Sequence, residues 1–348
     1  MTDVLLVSLG TTRGLRLADA QLVDMLREAG ASVAAVSTRI GLTNALRRGY
    51  PVNDVVEAIA ARRALTAGLR RYRPRALVLS STTVALLAGR PPVPYAVWLD
   101  SPARLNRPGV LNAPLHLLER RQLARARVLM PHSPGTVAVL PAGAARSVLV
   151  PPPVPAVAGD PNPVRERFAV GYTPDPKAKG LALLCAAWGQ AALPGARLLI
   201  AGIEPERARA FLARREVALP VGVELVGMLP QPSFRDLLAR ARVLVSAAEW
   251  EDFGIAPLEA LDRGAALVCA PAGGPFPALA LARSLAPEFV AADRAPASLA
   301  RALEAAFAAP SERLADYRVA ARAALEPYRP EASVARLATE VLPALLGS

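Results

Sequence analysis

The stretch Glu251-Asp-Phe-Gly-Ile-Ala-Pro-Leu-Glu259 follows an apolar run, Arg242-Val-Leu-Val-Ser246, that is typical of a buried parallel strand. Residues 256–263 resemble the first turns of a helix, so two carboxylates lie where a strand ends and a helix begins. Ligands of open α/β sheets bind at that edge, and free N–H groups at a helix start bind anions. A carboxylate there accepts hydrogen bonds from hydroxyls. The stretch therefore predicts a site for a ligand with sugars and phosphates.

Strand-like apolar runs alternate with helix-like segments along all 348 residues. The predicted strands of the first half are residues 4–8, 32–37, 76–80, 95–99, 128–130 and 147–150. Those of the second half are residues 168–171, 198–201, 223–226, 243–246, 266–269 and 289–291. This alternation predicts an α/β protein whose parallel sheets are covered by helices on both faces.

A proline-rich segment separates the two halves. Residues 150–163 contain six prolines, which excludes a central strand or a helix and predicts a stiff linker over 151–163. We therefore expect one Rossmann-like domain over 1–150, another over 164–326, and a ligand cleft between them. Helical apolar spacing in the tail predicts that a C-terminal helix, within about residues 327–348, packs back on the first domain.

Composition limits the protein class. Hydrophobic residues make up 53% and aromatic residues 5% of the chain, which predicts a core of small aliphatic side chains and excludes disorder. Cys185 and Cys269 are expected to be buried thiols in a reducing compartment, and the two histidines form no metal cluster. The start lacks signal-peptide features, and no apolar stretch reaches the ~18 residues of a spanning helix. These features predict a cytoplasmic protein, soluble or peripheral at the inner face of the membrane.

The positive charge is concentrated in the first half. Residues 1–150 contain 20 Lys and Arg against 8 Asp and Glu, a net charge of +12, whereas residues 151–348 contain 21 of each. The densest part runs from Arg39 to Arg75. Such a field favours an anionic membrane surface or an anionic, lipid-linked acceptor; a solvated basic face is the alternative. Nucleic acid is disfavoured because aromatic side chains do not interleave with the arginines.

The only two lysines of the chain, Lys177 and Lys179, lie in one turn between a predicted strand and a predicted helix. Lys179 directly precedes Gly180 at the helix start, where a compact ammonium and helix N–H groups can meet a phosphate together. Lys177 is either a second phosphate contact or a solvated turn residue.

Five motifs in order resemble the retaining glycosyltransferases of family 4, which have the GT-B fold. They are the Glu-x7-Glu signature from Glu251 to Glu259, the strand approach ending at Ser246, Gly227-Met-Leu-Pro230, Arg263-Gly-Ala-Ala-Leu-Val268 and Gly273-Gly274-Pro275. The resemblance covers most of residues 165–310. It implies a GT-B architecture of two doubly wound Rossmann-like domains, the second of which binds a nucleotide sugar.

The resemblance also implies side-chain roles. Glu251 would accept hydrogen bonds from the donor sugar, and Glu259 would hold the 2′ and 3′ hydroxyls of the ribose. Lys179 would neutralise the diphosphate. The arginine that the family has after the glycine at 171 would be replaced by Lys177 or by an arginine of the first domain.

Two backbone segments complete the site that the resemblance implies. Phe253, Gly254 and Ile255 would place N–H groups at the sugar and phosphates. The backbone near Met228 and Leu229 would meet the base.

The first half offers fewer candidates. Gly10 lies in a glycine turn after the first strand and is either a diphosphate contact or a structural residue. Asp100 follows the strand at 95–99, in a place comparable to that of a family histidine, and is a catalytic candidate. Residues 81–83 could face the acceptor, and we interpret His132 as structural.

The predicted function is retaining transfer of a sugar from a nucleotide-diphospho-sugar to an acceptor hydroxyl, without a metal or other cofactor. The predicted catalytic residues are Lys179, Glu251 and Asp100. Two alternatives stay open. One is a non-catalytic sugar-nucleotide-binding module or partner subunit, motivated by Tyr172 in the place of the family arginine. The other is a sugar-nucleotide epimerase of the same fold.

Overall fold

Strands and helices alternate along both halves of the chain. This computed structural model describes residues 2–10, 13–38, 51–156 and 165–347. The chain divides into two compact units: unit 1 comprises Met1–Pro153 with Pro327–Ser348, and unit 2 comprises Val154–Glu326. Three sequence predictions lie partly outside the described residues. They are the first glycine turn at 11–12, the arginine-rich stretch at 39–50 and the linker at 157–163.

Unit 1 has a parallel sheet, with five strands in its described residues. The strands are β1 (Val4–Ser8), β2 (Val33–Ser37), β3 (Ala76–Leu79), β4 (Tyr95–Leu99) and β5 (Val128–Pro131). The helices that lie among and after these strands are α1 (Arg13–Glu28), α2 (Val52–Tyr72), α3 (Thr82–Leu86), α4 (Ala103–Asn106), α5 (Ala113–Arg125) and α6 (Pro134–Ala138). The strand order is β2-β1-β3-β4-β5, and every pair is parallel. β1, β3 and β4 are buried along their whole length, as expected for apolar strands covered on both faces.

The sheet order reverses direction between β1 and β3. β2 lies on one side of β1, while β3 and the later strands lie on the other. The turns that leave β1 and β3 carry Gly10 and Ser81. In open α/β sheets, ligands bind at the carboxyl edge beside such a switch point.

The C-terminal segment belongs to unit 1. It consists of α14 (Pro330–Arg336), a π-helical stretch (Leu337–Val341) and α15 (Leu342–Leu346), in direct succession. Leu337 and Val341 are completely buried and join the apolar cluster of β1 and α1. The apolar spacing of the tail is therefore the face that covers one side of the unit 1 sheet.

Unit 2 has a second parallel sheet, again with five strands in its described residues. Its strands are β6 (Glu166–Tyr172), β7 (Arg197–Ala201), β8 (Val223–Gly227), β9 (Ala241–Ser246) and β10 (Ala266–Cys269). Its helices are α7 (Leu181–Gln190), α8 (Pro205–Ala213), α9 (Gln231–Arg240), α10 (Ile255–Asp262), α11 (Pro277–Leu285), α12 (Pro296–Ala308) and α13 (Ser311–Ala324). The order is β10-β9-β6-β7-β8, so its switch point lies between β6 and β9. The predicted fold class, two doubly wound parallel sheets with alternating helices, is confirmed.

Two predicted strands are wrong. Residues 147–150 form a single bridge, from Ser147 to Leu129 of β5. The proline at 151 follows at once and has no N–H with which to extend a ladder. Residues 289–291 likewise form one bridge, from Val290 to Cys269, because a 3-10 turn (Pro287–Phe289) includes the first of them.

The proline-rich segment begins inside unit 1. Residues 151–153 are buried, and the Trp98 indole Nε1 donates to the Val150 carbonyl oxygen at 2.6 Å. The first prolines therefore pack against the protein and are not a solvated spacer. Among the described residues, every helix is too short or too polar to cross a bilayer.

Candidate functional site

The turn between β6 and α7 is built around Asp175. Its Oδ1 accepts hydrogen bonds from the backbone N–H groups of Lys177 at 3.0 Å and Ala178 at 2.9 Å. Its carbonyl oxygen accepts from the Lys179 N–H at 2.9 Å. Aspartate favours this kind of local turn because its short side chain reaches backbone groups two or three residues ahead. The turn therefore holds Lys179 in a defined place at the carboxyl edge of the sheet.

Gly180 allows this turn to touch the loop after β9. Its φ is +69°, and a Cβ added there would lie 2.1 Å from the Ala247 carbonyl oxygen. The Glu249 N–H also donates to the Ala178 carbonyl at 2.9 Å. Only glycine permits both the left-handed conformation and this close approach. The two loops that flank the switch point of unit 2 are thus joined backbone to backbone.

A third loop, after β10, closes around Glu251. The Glu251 N–H donates to the Gly273 carbonyl at 3.1 Å, and the Gly273 N–H donates to the Glu249 carbonyl at 3.0 Å. A Cβ on Gly274, whose φ is +89°, would lie 2.4 Å from the Glu251 carbonyl oxygen. The Gly-Gly pair therefore lets this loop pack directly on the backbone that carries Glu251.

Arg294 hydrogen-bonds to the loops after β9 and β10. Its Nη1 donates to the carbonyl oxygens of Ala248 and Pro271, both at 2.7 Å, and its Nη2 donates to that of Ala247 at 2.9 Å. Three carbonyls from two loops converge on one guanidinium, whose rigid planar fork suits this task. Arg294 is a structural support of the site that the sequence reasoning missed.

The structure brings Lys179 and Glu251 together. The Lys179 Nζ lies 2.5 Å from Glu251 Oε2, and the side chains are 24% and 15% exposed. The pair is thus partly buried at the edge of the sheet, between the strands where the chain order reverses. The two groups could each meet one part of a ligand, the ammonium an anionic group and the carboxylate a hydroxyl.

The start of α10 lies beside this pair. Gly254 precedes the helix with a φ of +76°, and a Cβ there would lie 2.6 Å from the ring of Phe276 and 3.0 Å from Glu251 Cγ. In the described structure no side chain caps this helix. Its first N–H groups, including that of Ile255, are therefore oriented for an anion or an oxygen-rich ligand. Phe253 is buried at 6% exposure and anchors the turn.

Glu259 lies on the second turn of α10 and is 8% exposed. Arg235 of α9 donates to its Oε1 twice, from Nε at 3.0 Å and from Nη2 at 2.8 Å. A charge-assisted contact of this kind holds the carboxylate in one orientation. Arg235 is a second residue that the sequence reasoning missed, because one arginine among 39 carries no distinguishing signal.

The two lysines face different surroundings. Whereas Lys179 meets Glu251, Lys177 is exposed and lines a cavity of about 240 Å³ together with Phe211, Arg215 and Arg294. The role of Lys177 as a substitute for the family arginine at 172 stays a prediction. Tyr172 itself packs against Phe234, with ring centroids 5.0 Å apart.

Met228 and Leu229 lie at the carboxyl end of β8. Gly227, with a φ of +77°, turns the chain there, and its carbonyl accepts from the Gly202 N–H at 2.9 Å. Met228 is 53% exposed. The segment is on the same edge of the sheet as Lys179, two strands away from it.

Unit 1 has its own polar edge. Gly10 has a φ of +60° and accepts a hydrogen bond from Arg16 Nη1 at 2.9 Å through its carbonyl. Nearby, the buried carboxylate of Asp19 accepts from the Ser8 hydroxyl at the end of β1. Burial raises the pKa of Asp19 above its ordinary value. These contacts join the end of β1 to α1 where the sheet order reverses.

Asp100 begins the turn after β4. Its Oδ1 accepts from the Ser101 N–H at 2.7 Å, and its carbonyl accepts from the Thr136 hydroxyl at 2.5 Å. The same turn is held by Glu119 of α5, whose two carboxylate oxygens accept from the Ala103 N–H at 3.0 and 3.1 Å. Burial raises the pKa of Glu119 to about 7. Glu119 is a third site residue that the sequence reasoning missed.

His132 lies directly after β5. Its ring is 4.4 Å from that of Trp98, centroid to centroid, and burial lowers its pKa to about 3. A neutral imidazole packed on an indole agrees with a structural residue.

Comparisons with known proteins show what this chain is similar to. Residues 163–324 match the family model for glycosyl transferases group 1. The match spans unit 2 and includes the loops that carry Lys179, Glu251, Glu259 and Arg294. A comparison with curated protein sequences finds no match.

Solved GT-B glycosyltransferases share the fold over the whole chain. Sucrose-phosphate synthase from Thermosynechococcus elongatus aligns with a TM-score of 0.79 at 17% identity, covering 100% of both chains. HepE from Anabaena, in complex with UDP and glucose, aligns at 0.69 and 14%, covering 98% of this chain and 99% of that one. A UDP-forming α,α-trehalose-phosphate synthase from Burkholderia xenovorans aligns at 0.69 and 13%, covering 97% and 98%. The predicted GT-B architecture is confirmed at the level of the fold.

Proposed function

We propose that this protein is a retaining glycosyltransferase, of the family 4 type, that transfers a sugar from a nucleotide-diphospho-sugar to an acceptor hydroxyl. The observation that carries the proposal is the Lys179–Glu251 pair at the switch point of unit 2, 2.5 Å apart and partly buried. A cation that can bind the diphosphate and a carboxylate that can bind the sugar therefore lie side by side. This suits a nucleotide-diphospho-sugar, in which the sugar is bonded directly to the diphosphate. The group 1 family match over the same loops supports it.

Lys179 carries the central role in this proposal. As the bond between the anomeric carbon and the diphosphate oxygen breaks, negative charge grows on the leaving group. The Lys179 ammonium and the N–H groups at the starts of α7 and α10 stabilise that charge without a metal ion. Because these groups are held by the backbone contacts of Gly180 and Gly274, they need little reorganisation during the reaction.

The proposed chemistry needs no covalent enzyme intermediate. The acceptor oxygen forms the new bond to the anomeric carbon on the face that the diphosphate leaves, and the acceptor proton passes to the departing phosphate oxygen. Glu251 holds hydroxyls of the sugar during this exchange. Glu259, fixed by Arg235 at 2.8 and 3.0 Å, binds the ribose, and the segment of Met228 and Leu229 meets the base.

The acceptor is proposed to bind at the polar edge of unit 1, where Asp100 and Gly10 lie. The net charge of +12 in residues 1–150 favours an anionic acceptor, such as a phosphorylated or lipid-linked glycan. Asp100 orients the acceptor hydroxyl by accepting its hydrogen bond.

A donor-hydrolysis assay tests the proposal. Sugar nucleotides, beginning with UDP-glucose, are incubated with the protein in the presence of EDTA, and release of nucleoside diphosphate and free sugar is measured. We expect slow hydrolysis of one donor, and a drop of about 10²–10³-fold in the Lys179→Ala variant, as on removal of a single charge-stabilising group. Lys177→Ala is the matched control and should retain most of the activity.

Other outcomes distinguish the alternatives. Binding of a nucleoside diphosphate without hydrolysis of any donor, and without transfer to any acceptor, would favour a non-catalytic binding module. Release of an epimerised sugar would favour the epimerase. Equal activities of Lys179→Ala and wild type would overturn the role of Lys179.

A further inference from the structure

A turn before α5 presents two aliphatic side chains to solvent. Val110 and Leu111 are 88% and 89% exposed. The turn is nonetheless ordered by Asn112, whose Nδ2 donates to the carbonyl oxygens of Arg107 and Pro108, both at 3.2 Å. Two adjacent aliphatic residues held outward by a buried asparagine are a built feature of the fold, and they point to a partner that accepts apolar side chains.

The exposed face of α5 continues this feature. Leu117, 49% exposed, follows the turn, and Arg120 and Arg121 follow Leu117 on the same face; both arginines are exposed. The spacing of three and four residues keeps these side chains on one side of the helix. The face is therefore apolar where the helix begins and basic where it ends.

The exposed face of α2 repeats this arrangement. Val52 and Ile59 are 45% and 41% exposed. Further along the helix, Ile59 borders an open groove of about 440 Å³ that is otherwise lined mainly by Arg62, Arg63 and Arg70. Here too the apolar residues precede the arginines.

The two helix faces lie in one layer of unit 1. α3 packs against both α2 and α5. Arg107, just before the exposed turn, forms an ion pair with Asp54 in the first turn of α2. The beginnings of α2 and α5, where the exposed apolar residues lie, are thus neighbours. The exposed arginines follow further along each helix.

We propose that this outer face of α2 and α5 is a docking surface for an anionic lipid bilayer, into which Val110 and Leu111 insert. Aliphatic side chains gain free energy by entering the acyl boundary, and arginines behind them meet anionic head groups, each contributing about fivefold in affinity. Residues 1–150 have a net charge of +12, whereas residues 151–348 have a net charge of zero. The charge of unit 1 is therefore complementary to that of an anionic bilayer. The proposal goes beyond sugar transfer and does not depend on catalysis.

Vesicle sedimentation tests the surface. The full-length protein is mixed with vesicles of phosphatidylcholine alone, or of phosphatidylcholine with phosphatidylglycerol. We expect pelleting with the anionic vesicles only, reduced at least about tenfold in affinity in a V110D/L111D variant. V221D is the matched control, because Val221 is 100% exposed in unit 2, and it should bind like wild type.

A charge-reversal pair separates a specific face from general attraction. R120E/R121E and R207E/R209E change the net charge equally, and all four arginines are exposed, the first two on α5 and the others on α8. We expect the α5 pair to lose at least about tenfold more vesicle affinity than the α8 pair. Equal losses, no pelleting of wild type, or pelleting that is unchanged in V110D/L111D would each overturn the proposal. Donor hydrolysis, measured on the same samples, reports separately on the proposed function.

Discussion

The carboxyl edges of the two sheets are built by different means. In unit 2 three loops are interlocked through backbone hydrogen bonds and through glycines that no other residue could replace, Gly180 and Gly274 among them. In unit 1 the turns are held by buried side-chain carboxylates, with Glu119 bonded to the Ala103 N–H and Asp19 bonded to Ser8. The unit 2 edge adds close backbone contacts at glycines to the side-chain bonds of Asp175 and Arg294, whereas the unit 1 edge relies on side-chain carboxylates.

This difference explains why only one edge has a recognisable motif. At Gly180 a Cβ would lie 2.1 Å from a backbone oxygen, so only glycine fits. Such a requirement is visible in the sequence as a glycine at a fixed spacing from the strand. A carboxylate that holds a turn can come from any helix that passes by, as Glu119 does from α5. The matching family model covers residues 163–324 accordingly and does not extend over unit 1.

The largest effect is expected from Gly180→Ala. The new methyl group would clash with the Ala247 carbonyl oxygen, and the alanine would have to adopt a φ of +69°. Together these effects should lower the free energy of unfolding by about 2–4 kcal/mol. We expect thermal unfolding several degrees lower and loss of nucleotide binding, measured by scanning fluorimetry and calorimetry. Gly195→Ala is the matched control, with the same φ of +69° and nothing within 4 Å, and should cost only about 1 kcal/mol. Equal effects would mean that loop contact is unimportant.

A smaller effect is expected from the pair that would hold the ribose. Glu259→Ala should weaken nucleoside diphosphate binding about tenfold or more, because a carboxylate that accepts two hydroxyls is lost. Arg235→Ala should weaken it less, about threefold to tenfold, because Glu259 stays but loses its fixed orientation. Titration calorimetry measures both. Unchanged affinity in Glu259→Ala would remove this residue from the nucleotide site.

The last effect concerns Glu119 and appears only as a pH dependence of the free energy of unfolding. Its pKa is raised from 4.5 to about 7 by burial, so the folded state retains a proton that the unfolded state loses in this window. Stability should therefore fall as pH rises from about 4.5 to 7, by an amount on the order of 2 kcal/mol. Glu119→Gln keeps an acceptor for the Ala103 N–H but cannot ionise, and should flatten this slope.

Chemical denaturation of wild type and Glu119→Gln at pH 5 and pH 8 measures that slope. His132, whose pKa is lowered to about 3, acts in the opposite direction, since stability falls as pH drops below the ordinary histidine value. It is present in both proteins, so their difference reports on Glu119. Parallel pH profiles of the two proteins would show that this carboxyl does not titrate as inferred.

Much of the fold could be predicted from the sequence. Buried strands such as β1 and β4 consist of apolar residues apart from Ser8 at the end of β1, and helical segments separate them from the next strands along the chain. The two wrong strands, at 147–150 and 289–291, are short apolar runs, where composition cannot distinguish a single bridge from a ladder. The lysine turn and the Glu251 turn were placed correctly at strand ends because a strand followed by a helix predicts that edge.

From the sequence alone, the glycines, Lys179 and Glu251 could be placed at the carboxyl edge of one sheet, because backbone sterics impose their residue types and spacings. The three-dimensional packing was needed to show that Lys179 meets Glu251 while Lys177 is exposed and lines a cavity beside Phe211. It also showed that Arg235, Arg294 and Glu119 serve as supports, and that Val110 and Leu111 face solvent. Contacts between side chains distant in sequence depend on packing directions in space, and one arginine among 39 gives no local sign of the carbonyl or carboxylate it will meet.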